Sequence, residues 1–173
     1  MKTFTNILFF ALLISGVNLF GQTKLVEKQV GHIFYLSVPD YMTKTKNLNN
    51  DASLQYENTV KEAYVIVIED SKEELKDLGM VYQDSKEFYD DFVKTYTKAV
   101  QEAATTDSKT FTINGNSFTQ GEITYVSDSV KIYMLATVVE TKTNFYKILC
   151  WTLKENKDKL KSDFIAIAKT LRD

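Results

Sequence analysis

The chain has 173 residues, of which 44% are hydrophobic and 25% are charged, and its net charge is −2 at pH 7. Its lysines and carboxylates are interspersed, which argues against a nucleic acid or an anionic membrane surface as the partner. A single cysteine, Cys150, excludes an intramolecular disulfide.

The N-terminal stretch, residues 1–21, predicts a secretory signal peptide. Lys2 precedes an apolar run over residues 7–20, and Gly21 supplies a small residue before Gln22. The run is shorter than the roughly 20 residues that a membrane span needs, so cleavage after Gly21 is expected to leave no span. The mature chain is then residues 22–173, which we predict to be one α+β domain exported to the periplasm or secreted.

The first part of the mature chain predicts strands. They are a hairpin over 24–38 and strands over 53–58 and 63–68, with a polar loop over 40–51. Gly31 and His32 mark the hairpin turn, and Pro39 ends the second strand because it has no N–H to donate to a ladder. The strand over 53–58 alternates, which places Leu54 and Tyr56 on one half-buried face.

Two helices are predicted next. Ser71, with Glu74 three residues later, is typical of a capping box and predicts a short helix that runs toward Gly79. Apolar residues then recur at helical spacing over residues 85–104, with charged residues on the opposite face. This pattern predicts a long amphipathic helix.

The rest of the chain returns to strands and closes with a helix. The predicted elements are strands over 109–113 and 118–126, a hairpin over 130–153, and a helix that begins near residue 156. Asn114 and Gly115 form a strong hairpin-turn signal. The hairpin over 130–153 is apolar at odd and even positions alike, so we expect it in the middle of a sheet that is covered on both faces.

Tight turns between neighbouring strands favour antiparallel pairing. The predicted fold class is therefore α+β, with a largely antiparallel central sheet and flanking helices. Phe-Tyr-Leu-Ser-Val-Pro at 34–39 and the final helix with Lys-Thr-Leu at 169–171, within this order of elements, resemble the Mog1/PsbP-like α/β/α sandwich. This class includes small exported bacterial PsbP-related proteins.

The resemblance implies an accessory or binding role. Mog1 acts on a small GTPase and PsbP on the oxygen-evolving complex of the photosystem, and neither role suits an exported chain of this kind. Because the resemblance consists of element order and short patterns, it transfers no site residue.

Catalytic and metal chemistry has little support in the sequence. His32 is the only histidine and lies at a turn, where no motif supplies a nucleophile or a second ligand. Cys150 lies in an apolar strand, which favours an inert buried thiol over a reactive one. No nucleotide-binding or esterase motif is present. We therefore predict no catalytic residues, no metal and no cofactor.

The carboxylates cluster where helices are predicted to begin, and there they interact favourably with the helix dipole. Glycoside hydrolysis or calcium binding is the less favoured interpretation. The residues concerned are Glu69, Asp70, Glu73, Glu74, Asp77, Asp84, Glu87, Asp90 and Asp91.

Aromatic residues are the one compositional excess, with ten tyrosines and eleven phenylalanines. Tyrosine suits the wet rim of a sheet, which is the simpler explanation, but it is also enriched where partners dock. The candidate binding residues are strand tyrosines, namely Tyr35, Tyr56, Tyr125, Tyr133 and Tyr146.

Three functions stay open. The leading hypothesis is an exported, non-catalytic binding or accessory module that acts on a protein or cell-envelope partner. The alternative is a carrier that holds a small apolar ligand in a cavity between the sheet and the long helix. A hydrolase with an unrecognised site ranks third, because candidates for acid, base and nucleophile do not converge in the sequence.

Overall fold

The computed structural model describes residues 23–30 and 34–173. The predicted signal peptide, its cleavage site at Gly21 and Gln22, and the turn at Gly31 and His32 lie outside the described residues. The strands are β1 (Leu25–Val30), β2 (Phe34–Pro39), β3 (Thr43–Lys44), β4 (Leu54–Asn58), β5 (Ala63–Ser71), β6 (Gln101–Thr105), β7 (Lys109–Ile113), β8 (Asn116–Ser127), β9 (Val130–Glu140) and β10 (Asn144–Leu153). The helices are α1 (Lys72–Asp77), α2 (Ser85–Ala99) and α3 (Lys157–Ala168).

The central sheet is antiparallel and is built around the β9–β10 hairpin. Its strand order is β3-β4-β5-β10-β9-β8-β6, and β7 also pairs with β8. Cys150 of β10 lies opposite Leu135 of β9 on one side and Val65 of β5 on the other. The predicted position of the hairpin in the middle of the sheet is therefore confirmed.

Both faces of the sheet are buried, and successive residues of β9 show how. Leu135 and Val139 belong to one core cluster, with α3 and the separate β1–β2 hairpin. Ala136 and Val138 belong to the other cluster, with α1 and α2. Because side chains alternate between faces along a strand, this continuous apolar run supplies two cores at once. The α+β class and the α/β/α sandwich are confirmed.

Two tight turns set the register of β8 with its neighbours. Asn114 and Gly115 have φ values of 50° and 86°, the left-handed conformation that a two-residue hairpin turn requires. Asp128 and Ser129, between β8 and β9, also have positive φ values of 49° and 66°. The predicted turn at Asn114 and Gly115 is confirmed.

The long helix ends sooner than predicted. It stops at Ala99, and the following residues of the predicted helix form β6, which pairs with the second half of β8. The strand β7 covers only the first half of β8, so Ile123 to Val126 would otherwise present an unpaired edge. Pairing those backbone groups outweighs the helical pattern. Glu102, with φ of 49°, lies at the irregularity in this pairing.

Candidate functional site

An open cleft of about 620 Å³ lies at one end of the sheet, on the α3 face. Four separate parts of the chain line it: the segment before β1, the segment after β2, the β4–β5 turn, and α3 with the residue before it. Its lining includes Thr23, Tyr41, Lys61 and Asp163. No single stretch of sequence contains the site.

Asp163 of α3 ties these parts together. One of its carboxylate oxygens accepts a hydrogen bond from Thr23 Oγ1 at 2.8 Å, and the other accepts one from Tyr41 Oη at 2.7 Å. The backbone carbonyl of Tyr41 accepts a further bond from Asn58 Nδ2 at 2.7 Å. Burial and the neighbouring Asp163 both raise the pKa of Tyr41, so its hydroxyl remains a donor to the carboxylate.

The cleft carries more positive than negative charge. Lys24, Lys61 and Lys159 line it and form no salt bridge within residues 23–30 and 34–173, while Asp163 is already occupied by two hydroxyls. Lys61 Nζ lies 5.0 Å from the centre of the Tyr41 ring. Asp40 is the other carboxylate of the lining. Lysines without a carboxylate partner suit an anionic group such as a carboxylate or a phosphate.

Apolar surface accompanies these lysines. Val60, at the tip of the β4–β5 turn, is 94% exposed and lines the cleft together with the buried Leu160 of α3. A partner that enters the cleft would therefore meet both charge and apolar surface. No sequence pattern marks Lys24, Val60, Lys61 or Lys159 as functional, because each is an ordinary surface residue in its own segment.

The five candidate tyrosines do not come together on one accessible face. Tyr56, Tyr133 and Tyr146 are buried in the cluster beneath α3. Tyr125 is buried on the opposite face, where its ring packs edge-on against Tyr96 at 5.6 Å. Tyr35 is half-buried under the guanidinium of Arg172, whose centre lies 4.0 Å from its ring. A binding role for these five residues stays a prediction.

A buried polar network at the start of α2 was also missed. Ser85 Oγ lies 2.8 Å from both Ser117 Oγ and Thr119 Oγ1 of β8. The Ser85 backbone N–H donates to Glu140 Oε2 at 2.9 Å, and Lys72 pairs with the other oxygen of Glu140. Ser85 contacts hydroxyls rather than a base and has no exposed surface, so the network anchors a helix to the sheet and does not activate a nucleophile.

Cys150 and Asp84 behave as structural groups. Cys150 is fully buried, and that burial raises the pKa of its thiol, which favours the unreactive form. Asp84 caps α2 by accepting hydrogen bonds from the N–H groups of Lys86 and Glu87. Within the described residues, no three His, Cys, Asp or Glu side chains are grouped so that they could hold a metal ion. His32 lies outside those residues.

A helix that is both long and apolar enough to cross a membrane is absent from residues 23–30 and 34–173.

No protein-family model and no curated protein matches the chain. Solved structures do match it, and they define the class: the chain has a Mog1/PsbP-like fold. Cyanobacterial PsbP (CyanoP) from Synechocystis is 17% identical, with a TM-score of 0.64 over 88% of this chain and 94% of that one.

Two further structures share the fold. LpqN of Mycobacterium tuberculosis, described as involved in cell envelope biogenesis, is 13% identical, with a TM-score of 0.58 over 85% of this chain and 90% of its own. A Pseudomonas aeruginosa protein described as a putative regulator is 10% identical, with a TM-score of 0.55 over 86% of this chain and 96% of its own. At these identities the likeness establishes the fold alone.

Proposed function

We propose that this chain is an exported, non-catalytic binding module that holds an anionic group of a protein or cell-envelope partner in the cleft beside α3. The mature form would be residues 22–173, a single domain released by cleavage of the signal peptide after Gly21. Among the structures with the same fold, LpqN is described as involved in cell envelope biogenesis, which is consistent with a role of this kind.

The observation that carries the proposal is the charge arrangement of the cleft. Three exposed lysines, Lys24, Lys61 and Lys159, line a cavity that also contains the carboxylates of Asp40 and Asp163, and each oxygen of Asp163 already accepts a hydrogen bond from a hydroxyl. An incoming carboxylate or phosphate would therefore find cationic donors that no internal partner occupies. Hydrogen bonds from Thr23 and Tyr41 to Asp163 already hold the wall of the cleft in place. Binding would therefore order little of the chain.

The packing beneath α2 favours this module over the apolar-ligand carrier. The rings of Phe88 and Phe145 stack with their centres 4.5 Å apart, and Tyr82 packs edge-on against Phe88 at 4.8 Å. Side chains thus occupy the region between the sheet and the long helix that a carried ligand would need.

A titration with a defined anion tests the cleft. The mature chain, labelled with ¹⁵N, is titrated with pyrophosphate and with a hexaglutamate peptide while its amide spectrum is recorded. The amides of Thr23, Lys61 and Lys159 are expected to shift. Replacing all three lysines, K24Q/K61Q/K159Q, should weaken binding about tenfold or more, since about 0.5 kcal/mol per charge sums to that factor.

The matched control removes three exposed lysines elsewhere, K46Q/K98Q/K131Q, and so makes the same change in net charge. Equal weakening by both triple variants would mean that only overall charge matters, and the proposal would fail. Export is tested separately by expressing residues 1–173 in a bacterium and sequencing the N-terminus of the product. Gln22 is the expected first residue, and an unprocessed Met1 would contradict the export step.

A further inference from the structure

An exposed apolar segment follows α1, on the other face of the sheet from the cleft. Leu78 is 73% exposed, Val81 is 72% exposed and Met80 is 39% exposed. Of the five large hydrophobic side chains that are exposed in the described residues, three therefore lie within four consecutive positions. Clustered exposure of this kind marks interaction surfaces, whereas single exposed apolar residues need no explanation.

The backbone holds this segment in place. The N–H of Met80 donates to the carbonyl of Leu75 at 2.8 Å, and the N–H of Gly79 donates to that of Lys76 at 2.9 Å, which is a Schellman helix ending. Gly79 has the positive φ of 76° that this ending requires. The motif accounts for a contact between Met80 and Leu75, but it does not account for the exposure of the Leu78 and Val81 side chains.

A shallow groove of about 210 Å³ adjoins the segment. It is lined by Leu75, Met80, Val81, Tyr82 and Phe145, together with Lys72 and Lys76. Tyr82 is held at the groove edge, because its hydroxyl donates to Asp91 Oδ2 at 2.9 Å. An apolar side chain of a partner could lie in this groove against preformed walls.

The surroundings of the groove are acidic. Residues 70–91 contain eight carboxylates and three lysines. Lys72 and Lys86 are paired with Glu140 and Asp90 respectively. Glu73, Glu74 and Asp77 are exposed and form no ion pair in the part of the chain that the structure describes. Although Lys72 and Lys76 line the groove, residues 70–91 carry eight negative and three positive charges, a net formal charge of −5 around the apolar segment.

That charge selects among the possible occupants. An anionic lipid surface would be repelled, and a second copy docked by the same face would bring like charges together. A protein segment that carries lysines or arginines beside apolar side chains satisfies both the groove and its rim.

We infer that residues 78–82, with the groove beside them, form a second docking surface that takes a basic, apolar segment of a protein partner. This surface is independent of the cleft proposed above, which lies beside α3 and carries the opposite charge. The two together would let one small domain join an anionic and a cationic partner from its two faces.

The probe for this surface is a fluorescein-labelled peptide, Leu-Lys-Leu-Leu-Lys-Lys-Leu, whose anisotropy is followed as the mature chain is added. The double variant L78S/V81S should weaken binding at least tenfold. The charge variant E73Q/E74Q/D77N should weaken it at least threefold and reduce its salt dependence. The control is V130S, which changes another exposed valine and should leave binding unaltered, and the circular dichroism of every variant should match that of the parent.

Several outcomes would overturn the inference. Absence of binding would do so, and so would equal binding of the peptide by L78S/V81S and the parent chain. Equally tight binding of a peptide with serine in place of leucine would show charge attraction alone. Sedimentation of the parent as a dimer that L78S/V81S abolishes would assign the surface to a second copy, and loss of binding to phosphatidylcholine vesicles in that variant would assign it to a lipid surface. K24Q/K61Q/K159Q should bind the peptide normally, so failure at the cleft and failure here remain distinguishable.

Discussion

Gly121 of β8 is predicted to be required for the packing of α2 on the sheet. A Cβ placed on Gly121 would lie 2.3 Å from the hydroxyl of Tyr89 and 3.2 Å from its Cζ. Tyr89 is buried, so its ring cannot swing into solvent, and its hydroxyl has no hydrogen-bond partner in the described residues. Burial also raises the pKa of Tyr89 to about 12.

The magnitude follows from two opposing effects of G121A. Overpacking of a core contact costs about 1–3 kcal/mol. Replacing glycine by alanine within a strand returns about 0.5–1 kcal/mol of conformational entropy. We therefore expect G121A to lower the free energy of unfolding by about 1–2 kcal/mol.

The companion change Y89F removes the clashing oxygen. Alone it should raise stability by about 1 kcal/mol, because it also removes a buried hydroxyl without a partner. In the Y89F background, G121A should be within about 0.5 kcal/mol of neutral, since only the 3.2 Å contact to the ring remains to relax.

Urea unfolding of the parent, G121A, Y89F and the double variant, followed by the fluorescence of Trp151, gives a double-mutant cycle. A coupling energy of about 1 kcal/mol or more between the two positions is expected. If G121A costs the same in both backgrounds, the close approach of Tyr89 is not what requires glycine here.

Two further predictions concern the ion pairs of Glu122 and the thiol of Cys150. Glu122 of β8 pairs with Lys157 at 2.6 Å and Lys161 at 2.5 Å; burial alone would raise its pKa, but the hydrogen bonds from the two lysines leave it below the ordinary value. E122Q should therefore lose about 1 kcal/mol of stability at pH 7. In urea unfolding this loss should fade as the pH falls through and below the ordinary glutamate pKa, because Glu122 itself then becomes protonated; a loss that stays unchanged down to the acid limit of the folded state would contradict the assignment. Cys150 should resist a disulfide reagent such as dithionitrobenzoate in the native state and react only on unfolding, because its thiol is buried with a raised pKa; rapid labelling in buffer would refute this.

Local patterns were sufficient for most of the elements. The capping residue Ser71, the turn at Asn114 and Gly115, and the apolar run from Val130 to Glu140 each act through their immediate neighbours, and each element appeared where predicted. The predicted end of α2 was five residues too late, because helical periodicity continues over residues that pair with β8 as strand β6. Edge pairing is a long-range interaction that no local pattern carries.

The strand over Leu54–Asn58 shows a subtler limit. Its alternation predicted a half-buried strand with Leu54 and Tyr56 on one face, and both residues do belong to the core cluster beneath α3. Gln55 between them is buried too, because its side-chain oxygen accepts the N–H groups of Leu48 and Asn49, and its amide donates to the carbonyl of Asn49. Gln55 therefore holds the preceding loop in place through these hydrogen bonds. Alternation alone cannot tell a buried polar side chain of this kind from an exposed one.

The sequence by itself determined the α+β class, the antiparallel order of neighbouring strands and the central place of the β9–β10 hairpin, because periodicity and turn chemistry act over a few residues. The tertiary structure alone decided where charge and apolar surface collect. Thr23, Tyr41 and Asp163 are far apart in the chain, and only the packing of α3 against the N-terminal segment brings them to one cleft. Four of the five candidate binding tyrosines are buried in the core. Both faces of the sheet are covered, so strand side chains on either face are buried.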